Sequence, residues 1–371
     1  MDNYSTTNKM KLGFGLMRLP KLEDGSIDVE QTAKMADLFL EAGGTYFDTA
    51  FAYPGSEEAI CKALIERHPR ESFTLATKLM CNAEVTSEEQ AKAEFETSLQ
   101  RTKAGYFDYY LLHALQRSNY QKYDEYHIWD FVKELKEKGL IRHYGFSFHG
   151  DQYLLEELLQ KHPDVDFVQL QINYADWENP GVNSKKNLEI CKAHGKPVVV
   201  MEPIKGGILA DPISAVKQIF DEENNGMSYS SWALRFVASK DNILAVLSGM
   251  SSLDQMKDNL SFMADMKKLD EHEEEVIRKA QAAIDADQSI PCTKCHYCTE
   301  GCPMSIPIPE IFNVENRKKG QPDFRVRREY AIVTLDKGKA SDCIQCGQCE
   351  GACPQHLPII ELLQQCRVWE E

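Results

Sequence analysis

Short apolar runs alternate with longer amphipathic stretches along roughly the first 270 residues. The run 11–16 (KLGFGL) is apolar but broken by Gly13 and Gly15, which predicts a strand whose backbone something approaches closely. Asp28 then opens a stretch to residue 42 in which Ala33, Met35, Ala36, Leu38, Phe39 and Leu40 make an apolar stripe, with Gly43 and Gly44 as the stop. That is a capped helix. The same two patterns recur in turn. Strands are predicted near Tyr46 and over 73–77, 107–112, 142–146, 167–172, 197–201 and 243–247, and helices over 56–67, 87–102, 124–138, 151–161, 184–194, 228–238 and 252–263. Eight strands and eight helices in strict alternation imply parallel pairing. Eight units predict an α/β fold closed into a (β/α)8 TIM barrel rather than an open sheet.

Past residue 269 the pattern changes to a charged stretch, EHEEEVIRKAQAAI, which reads as a solvated spacer helix leading out of the barrel. The expected division is a barrel over 1–269, a linker helix over 270–286, and a small, mainly helical domain over 287–371, with helices at 309–319 and 323–335. A chain of 371 residues has room for that arrangement. Its formal charge of -16 argues against attraction to phosphate backbones or anionic lipid, so neither nucleic acid nor membrane is expected as a partner. Residues 1–9 are polar with no apolar h-region, and no run reaches the length of a membrane span. A cytoplasmic protein is expected.

Cysteine usage changes the picture more than charge does. Eight of the twelve cysteines fall in two runs, Cys292-x2-Cys295-x2-Cys298-x3-Cys302-Pro303 and Cys343-x2-Cys346-x2-Cys349-x3-Cys353-Pro354. Zinc usually takes two separated CxxC pairs, whereas three cysteines at three-residue intervals wrap one cubane. Each run matches the bacterial ferredoxin pattern, so two 4Fe-4S clusters are expected. In that pattern the last cysteine of each run serves the other cluster. One cluster then takes Cys292, Cys295, Cys298 and Cys353, and the other Cys343, Cys346, Cys349 and Cys302. The CxxCH string at Cys292 is coincidence, because Cys298 continues the series. The insert between the runs is long for a compact ferredoxin and suits a helical one. Cys61, Cys81, Cys191 and Cys366 read as buried or idle thiols.

In the barrel, three successive strands deliver ionisable groups at the same end. Phe47-Asp48-Thr49-Ala50-Phe51-Ala52-Tyr53 brings Asp48 and Tyr53, the third strand brings Lys78, and the fourth brings His113. Asp48 alone could cap the helix starting near Ser56, and a lone histidine is usually structural. Together at the carboxyl ends of strands they mark the catalytic face of a barrel. DTAFAY followed by Ser56-Glu57, then Thr77-Lys78 and Leu111-Leu112-His113, resembles the aldo-keto reductases over roughly residues 11–269, including all four positions of that family's tetrad. The resemblance implies hydride transfer between a bound nicotinamide cofactor and a small carbonyl or alcohol. Tyr53 is then the proton donor, Lys78 lowers its pKa, Asp48 holds Lys78, and His113 positions the carbonyl oxygen.

No GxGxxG follows a strand, so a doubly wound dinucleotide domain is not supported. By the same resemblance the cofactor, NADPH or NADH, lies across the barrel mouth, with Ser147 and Gln171 on its carboxamide. Met201 stands where the family often has an aromatic residue to stack on nicotinamide. The loops carrying Pro203, Lys205 and Gly207, and Gly249, Ser251, Gln255 and Asn259, match the remaining cofactor loops. Lys205 is the candidate phosphate contact, while the second loop lacks the cation that commonly grips a 2'-phosphate. The favoured reading is a carbonyl reductase whose clusters serve structure or pass electrons to a partner protein. The alternative is a nucleotide-binding redox sensor or electron-transfer subunit with little turnover.

Overall fold

Gly13 shows why the first strand has to be small. A Cβ there would sit 2.8 Å from the Leu247 side chain, so the glycine lets the first and last strands close on each other. In the computed structural model, which describes residues 10–82, 85–287, 289–318 and 321–370, eight parallel strands form a closed barrel in chain order. They are β1 (Leu12–Gly15), β2 (Tyr46–Asp48), β3 (Thr74–Leu79), β4 (Phe107–Leu115), β5 (Ile141–Phe148), β6 (Phe167–Gln171), β7 (Val198–Met201) and β8 (Ile243–Ser248). β1 pairs with β8 through Leu12 opposite Val246, completing the ring. The fold class expected from the alternation is the one observed.

The barrel interior is filled by a buried cluster of Tyr46, Ala76, Leu111, Phe167, Val199, Ala245 and Leu247, drawn from six different strands. Side chains pointing the other way, such as Phe14 and Phe47, meet the helices; the Phe39 ring packs edge-on against Phe47 at 5.2 Å. Helix starts follow their caps. Asp28, Ser87, Asp151 and Ser252 each accept a backbone N–H in the first turn of the helix that follows.

Three stretches depart from expectation. The helix expected over 124–138 is two, Tyr120–Glu125 and Ile128–Glu137, broken at His127, whose φ of 50° is left-handed and whose ring bonds Glu88 at 2.8 Å. A helix at Ser214–Glu222 was not expected; its apolar signal is thin, with Val216 and Phe220 its buried residues, and Phe220 stacks on Trp232 at 4.8 Å. The charged helix Glu271–Asp285 is no free spacer. A capping box of Asp270 and Glu273 starts it, Val276, Ile277 and Ala280 are buried, and Arg235 grips Glu273 through two contacts of 2.6 and 2.8 Å. Three apolar positions in a run of glutamates are enough to seat it on the barrel.

The carboxyl-terminal part is helical, with Ile308–Arg317, Asp323–Val333 and Ile359–Cys366 as its longer elements. Residue 319, the expected end of one of them, lies outside the described residues, as do residues 1–9. Ile311, Phe312, Val326, Tyr330, Leu363 and Cys366 build a separate core that also takes in Cys298, Cys349 and Cys353. No helix among the described residues is long and apolar enough to cross a membrane.

Candidate active site and iron-sulfur sites

β2 and β3 run side by side, with Asp48 opposite Ala76, so the side chains that leave their carboxyl ends share one space. Lys78 Nζ lies 2.5 Å from Asp48 Oδ1 and donates to Thr49 O at 2.7 Å. Gln169, on β6, donates to the other Asp48 oxygen at 3.1 Å. The bland account of Asp48 as a helix cap fails: the helix Ser56–Ile60 begins after Gly55 with no side-chain cap. Lys78 is 1 % exposed and Asp48 3 %, so burial opposes both charges and each partner restores the other's. Tyr53 stands over this pair, its ring centroid 5.0 Å from Lys78 Nζ, and meets the His113 ring edge-on at 5.7 Å.

The electrostatics reverse one expectation. Burial pushes the Tyr53 phenol up, and the Asp48 and Glu202 carboxylates add to the rise. The Lys78 ammonium is shared with Asp48 and Thr49, and burial with the two carboxylates outweighs it. Burial, with Lys78 and His149 nearby, holds His113 well below its ordinary value, so the imidazole is neutral.

Tyr53, Asp48 and His113 open onto a cavity of about 350 Å³. Of the residues expected to hold a cofactor, Met201, Pro203, Gly207, Gly249, Ser251, Gln255 and Asn259 line it. Ser147 and Gln171 do not line it but are buried at the ends of β5 and β6. Ser147 Oγ accepts from Ala114 N, and Gln171 donates to Asp176 while its Oε1 is buried without a partner. A buried acceptor with no partner and a hydroxyl still able to donate are the two kinds of group that a carboxamide pairs with. Lys205 is a correction. It points inward to Asp176 at 2.5 Å and Gln355 at 2.8 Å, which leaves its charge neutralised rather than free for a phosphate. Among the described residues, the cation lining the cavity is Arg18, whose backbone carbonyl also accepts from Ser251 Oγ at 2.6 Å.

Residues that the sequence reading passed over complete the site. Glu202, directly after β7, has a φ of 52°, faces the cavity and accepts from Gln355 at 3.1 Å. Its place one residue before the Pro203 loop was a usable signal. Tyr297 and Cys295, from the carboxyl-terminal part, also line the cavity, and nothing in the local sequence announces that.

The eight clustered cysteines surround two small cavities. Cys292, Cys295, Cys298 and Cys353 line one, and Cys302, Cys343, Cys346 and Cys349 the other, so the last cysteine of each run stands with the other run's first three. Among the described residues no three Cys, His, Asp or Glu side chains converge as a site for one metal ion. Four thiols spread around a void fit a polynuclear cluster better than a single zinc.

The aldo/keto reductase family profile matches residues 11–281. The chain belongs to the aldo/keto reductase family. A 4Fe-4S dicluster domain profile matches 291–357, carboxyl-terminal to it. Similar curated proteins include prostaglandin F synthase 1 of Bos taurus, 25 % identical over 243 residues (58 % of this chain, 72 % of that protein). Glyoxal reductase of Bacillus subtilis is 26 % identical over 231 residues, or 61 % of this chain and 76 % of that one. The holo form of an aldo-keto reductase from Bacillus halodurans superposes with a TM-score of 0.59 at 26 % identity, covering 73 % of this chain and 91 % of that one. This aldo-keto reductase is thus an NAD(P)-dependent oxidoreductase with an iron-sulfur domain appended.

Proposed function

We propose that the barrel reduces small aldehydes or ketones to alcohols with NADPH, and that Tyr53 gives the proton. The observation that carries this is the buried Asp48–Lys78 pair beneath Tyr53, with neutral His113 facing the same space. The nicotinamide, when bound, supplies the hydride. Every other task falls to side chains of this chain. His113, though neutral, keeps one ring N–H and donates it to the carbonyl oxygen. Tyr53 O–H passes its proton to the same oxygen as negative charge develops there. A phenol with a raised pKa still does this, because an alkoxide is a far stronger base than a phenolate. Lys78, held by Asp48 and Thr49, presents fixed positive charge below the ring and stabilises the phenolate left behind. Gln169 keeps Asp48 turned toward Lys78.

For the cofactor, Gln171 Oε1 and the Ser147 hydroxyl take the carboxamide, and Arg18 with the loop 249–252 takes a phosphate. That loop leads into the helix Leu253–Met263, whose amino-terminal N–H groups favour an anion.

The two cysteine sets hold two 4Fe-4S clusters by this reading. They differ in position: Cys295 lines the catalytic cavity, while Cys346 is exposed beside Ile344, itself 60 % exposed. The second set is therefore the one a protein electron partner could reach. The test of the main reading is anaerobic purification followed by a screen of small aldehydes, ketones and sugars with NADPH and NADH. Saturable NADPH oxidation coupled to alcohol formation is expected. Tight nucleotide binding with no turnover across the panel would favour the redox-sensor reading instead.

A further inference from the structure

Cys295 belongs to two cavities at once, the thiol-lined one and the catalytic one. Two residues on, Tyr297 stands half-buried in the wall of the catalytic cavity, which Tyr53 and His113 also line. The segment that carries them is fastened to the barrel on two sides. Arg18 Nη2 donates to Thr293 O at 3.1 Å, and Gly206 comes so near Thr293 that a Cβ there would be 2.7 Å from both its Cβ and its carbonyl oxygen. Farther along, Gln355 bridges Lys205 and Glu202, and Gln116, just past β4, donates to Gly351 O at 2.9 Å. The iron-sulfur domain therefore closes the mouth of the barrel rather than hanging from its end.

We propose that Tyr297 is a specificity-determining residue of the carbonyl site, the wall that faces Tyr53 and His113 across the substrate. It is supplied by the iron-sulfur domain and set by the turn that holds Cys295 and Cys298. This rests on the reading of the barrel as a carbonyl reductase. A half-buried aromatic ring at the end of a short turn, with His296 before it in a left-handed φ of 68°, has few places to go, so it sets the depth of the pocket. A substrate longer than the gap must displace it. One short enough is packed between two rings.

The test compares propanal with 2-naphthaldehyde on the iron-loaded holoenzyme, using steady-state kcat/KM and calorimetric binding to the NADP+ complex. Tyr297→Ala is expected to raise the naphthaldehyde-to-propanal ratio about tenfold or more, and Tyr297→Trp to lower it by a similar factor, since a pocket discriminates on that scale for small changes of shape. Both variants should keep wild-type iron and bind NADPH within about threefold of wild type. The opposed directions separate a wall residue from one that merely supports the fold. If one variant loses iron, the other decides. An iron-replete variant with the wild-type ratio overturns the proposal. Absence of aldehyde reduction in the wild type would instead sink the carbonyl-reductase reading, while calorimetry still reports on Tyr297.

Discussion

Lys78 carries its charge where water hardly reaches, and Asp48 makes that tolerable. Removing the carboxylate leaves a buried ammonium unpaired, so Asp48→Asn should cost about 3–5 kcal/mol in denaturant unfolding. A loss under about 1 kcal/mol would show the pair to be better solvated than the geometry says. The pH profile follows from two directions. Tyr53 is active as the protonated phenol, and its pKa is raised above the ordinary 10.0, so activity is lost only as pH climbs past that value. His113 is held below 6.5 and stays neutral at higher pH. The kcat/KM for reduction should therefore be level between about pH 7 and 9. A fall with its midpoint in that window contradicts the assignment of either residue. That Asp48, Tyr53, Lys78 and His113 meet at one end of the barrel was legible in the sequence, because three successive strands and the loop after the first deliver them there. The direction of the tyrosine shift was not, because burial depends on what packs above the loop and on Glu202, which arrives from the far side of the barrel.

At the scale of elements, periodicity exposed every strand, since parallel strands buried on both faces read as continuous apolar runs. Helices with thin stripes were harder: Ser214–Glu222 buries Val216 and Phe220, and Glu271–Asp285 hides three apolar positions among acids. The turn at Gly206 (φ 64°) is the element-scale joint between barrel and iron-sulfur domain. Gly206→Ala adds strain there worth about 1–3 kcal/mol. Amide exchange across 293–299 should speed up by about ten- to 100-fold, as measured by mass spectrometry. Unchanged exchange would mean the segment is held elsewhere. The cysteine runs were legible by spacing alone, and the grouping of Cys353 with the first run and Cys302 with the second makes a further expectation quantitative. Anaerobically prepared protein should contain about eight irons per chain. Four irons, or stoichiometric zinc, would contradict two cubanes.

On the proposed reading the whole molecule joins a two-electron site to two one-electron clusters, with Cys295 in the wall between the catalytic cavity and the nearer thiol-lined one. Proximity alone does not wire them together, because a hydride moves two electrons at once and a cubane moves one. NADPH added anaerobically to the cluster-loaded protein should leave the reduced-cluster signal in electron paramagnetic resonance absent on the timescale of a turnover. Its appearance without a flavin or a partner protein would overturn that separation. The joining of the two parts was the least legible feature, because Gln355 meeting Lys205 and Glu202 is a contact across some 150 residues with no local trace. The central claim is that Tyr53 completes a hydride transfer begun by the cofactor. The most direct measurement supplies NADPH deuterated at the transferring carbon, with an aldehyde that the wild type accepts, to wild type and Tyr53→Phe. The account predicts deuterium on the carbinol carbon with wild type, and a rate about 100- to 10,000-fold lower in the variant at undiminished NADPH affinity. Unlabelled alcohol from the wild type, or a Tyr53→Phe rate within a few-fold of wild type, would contradict it.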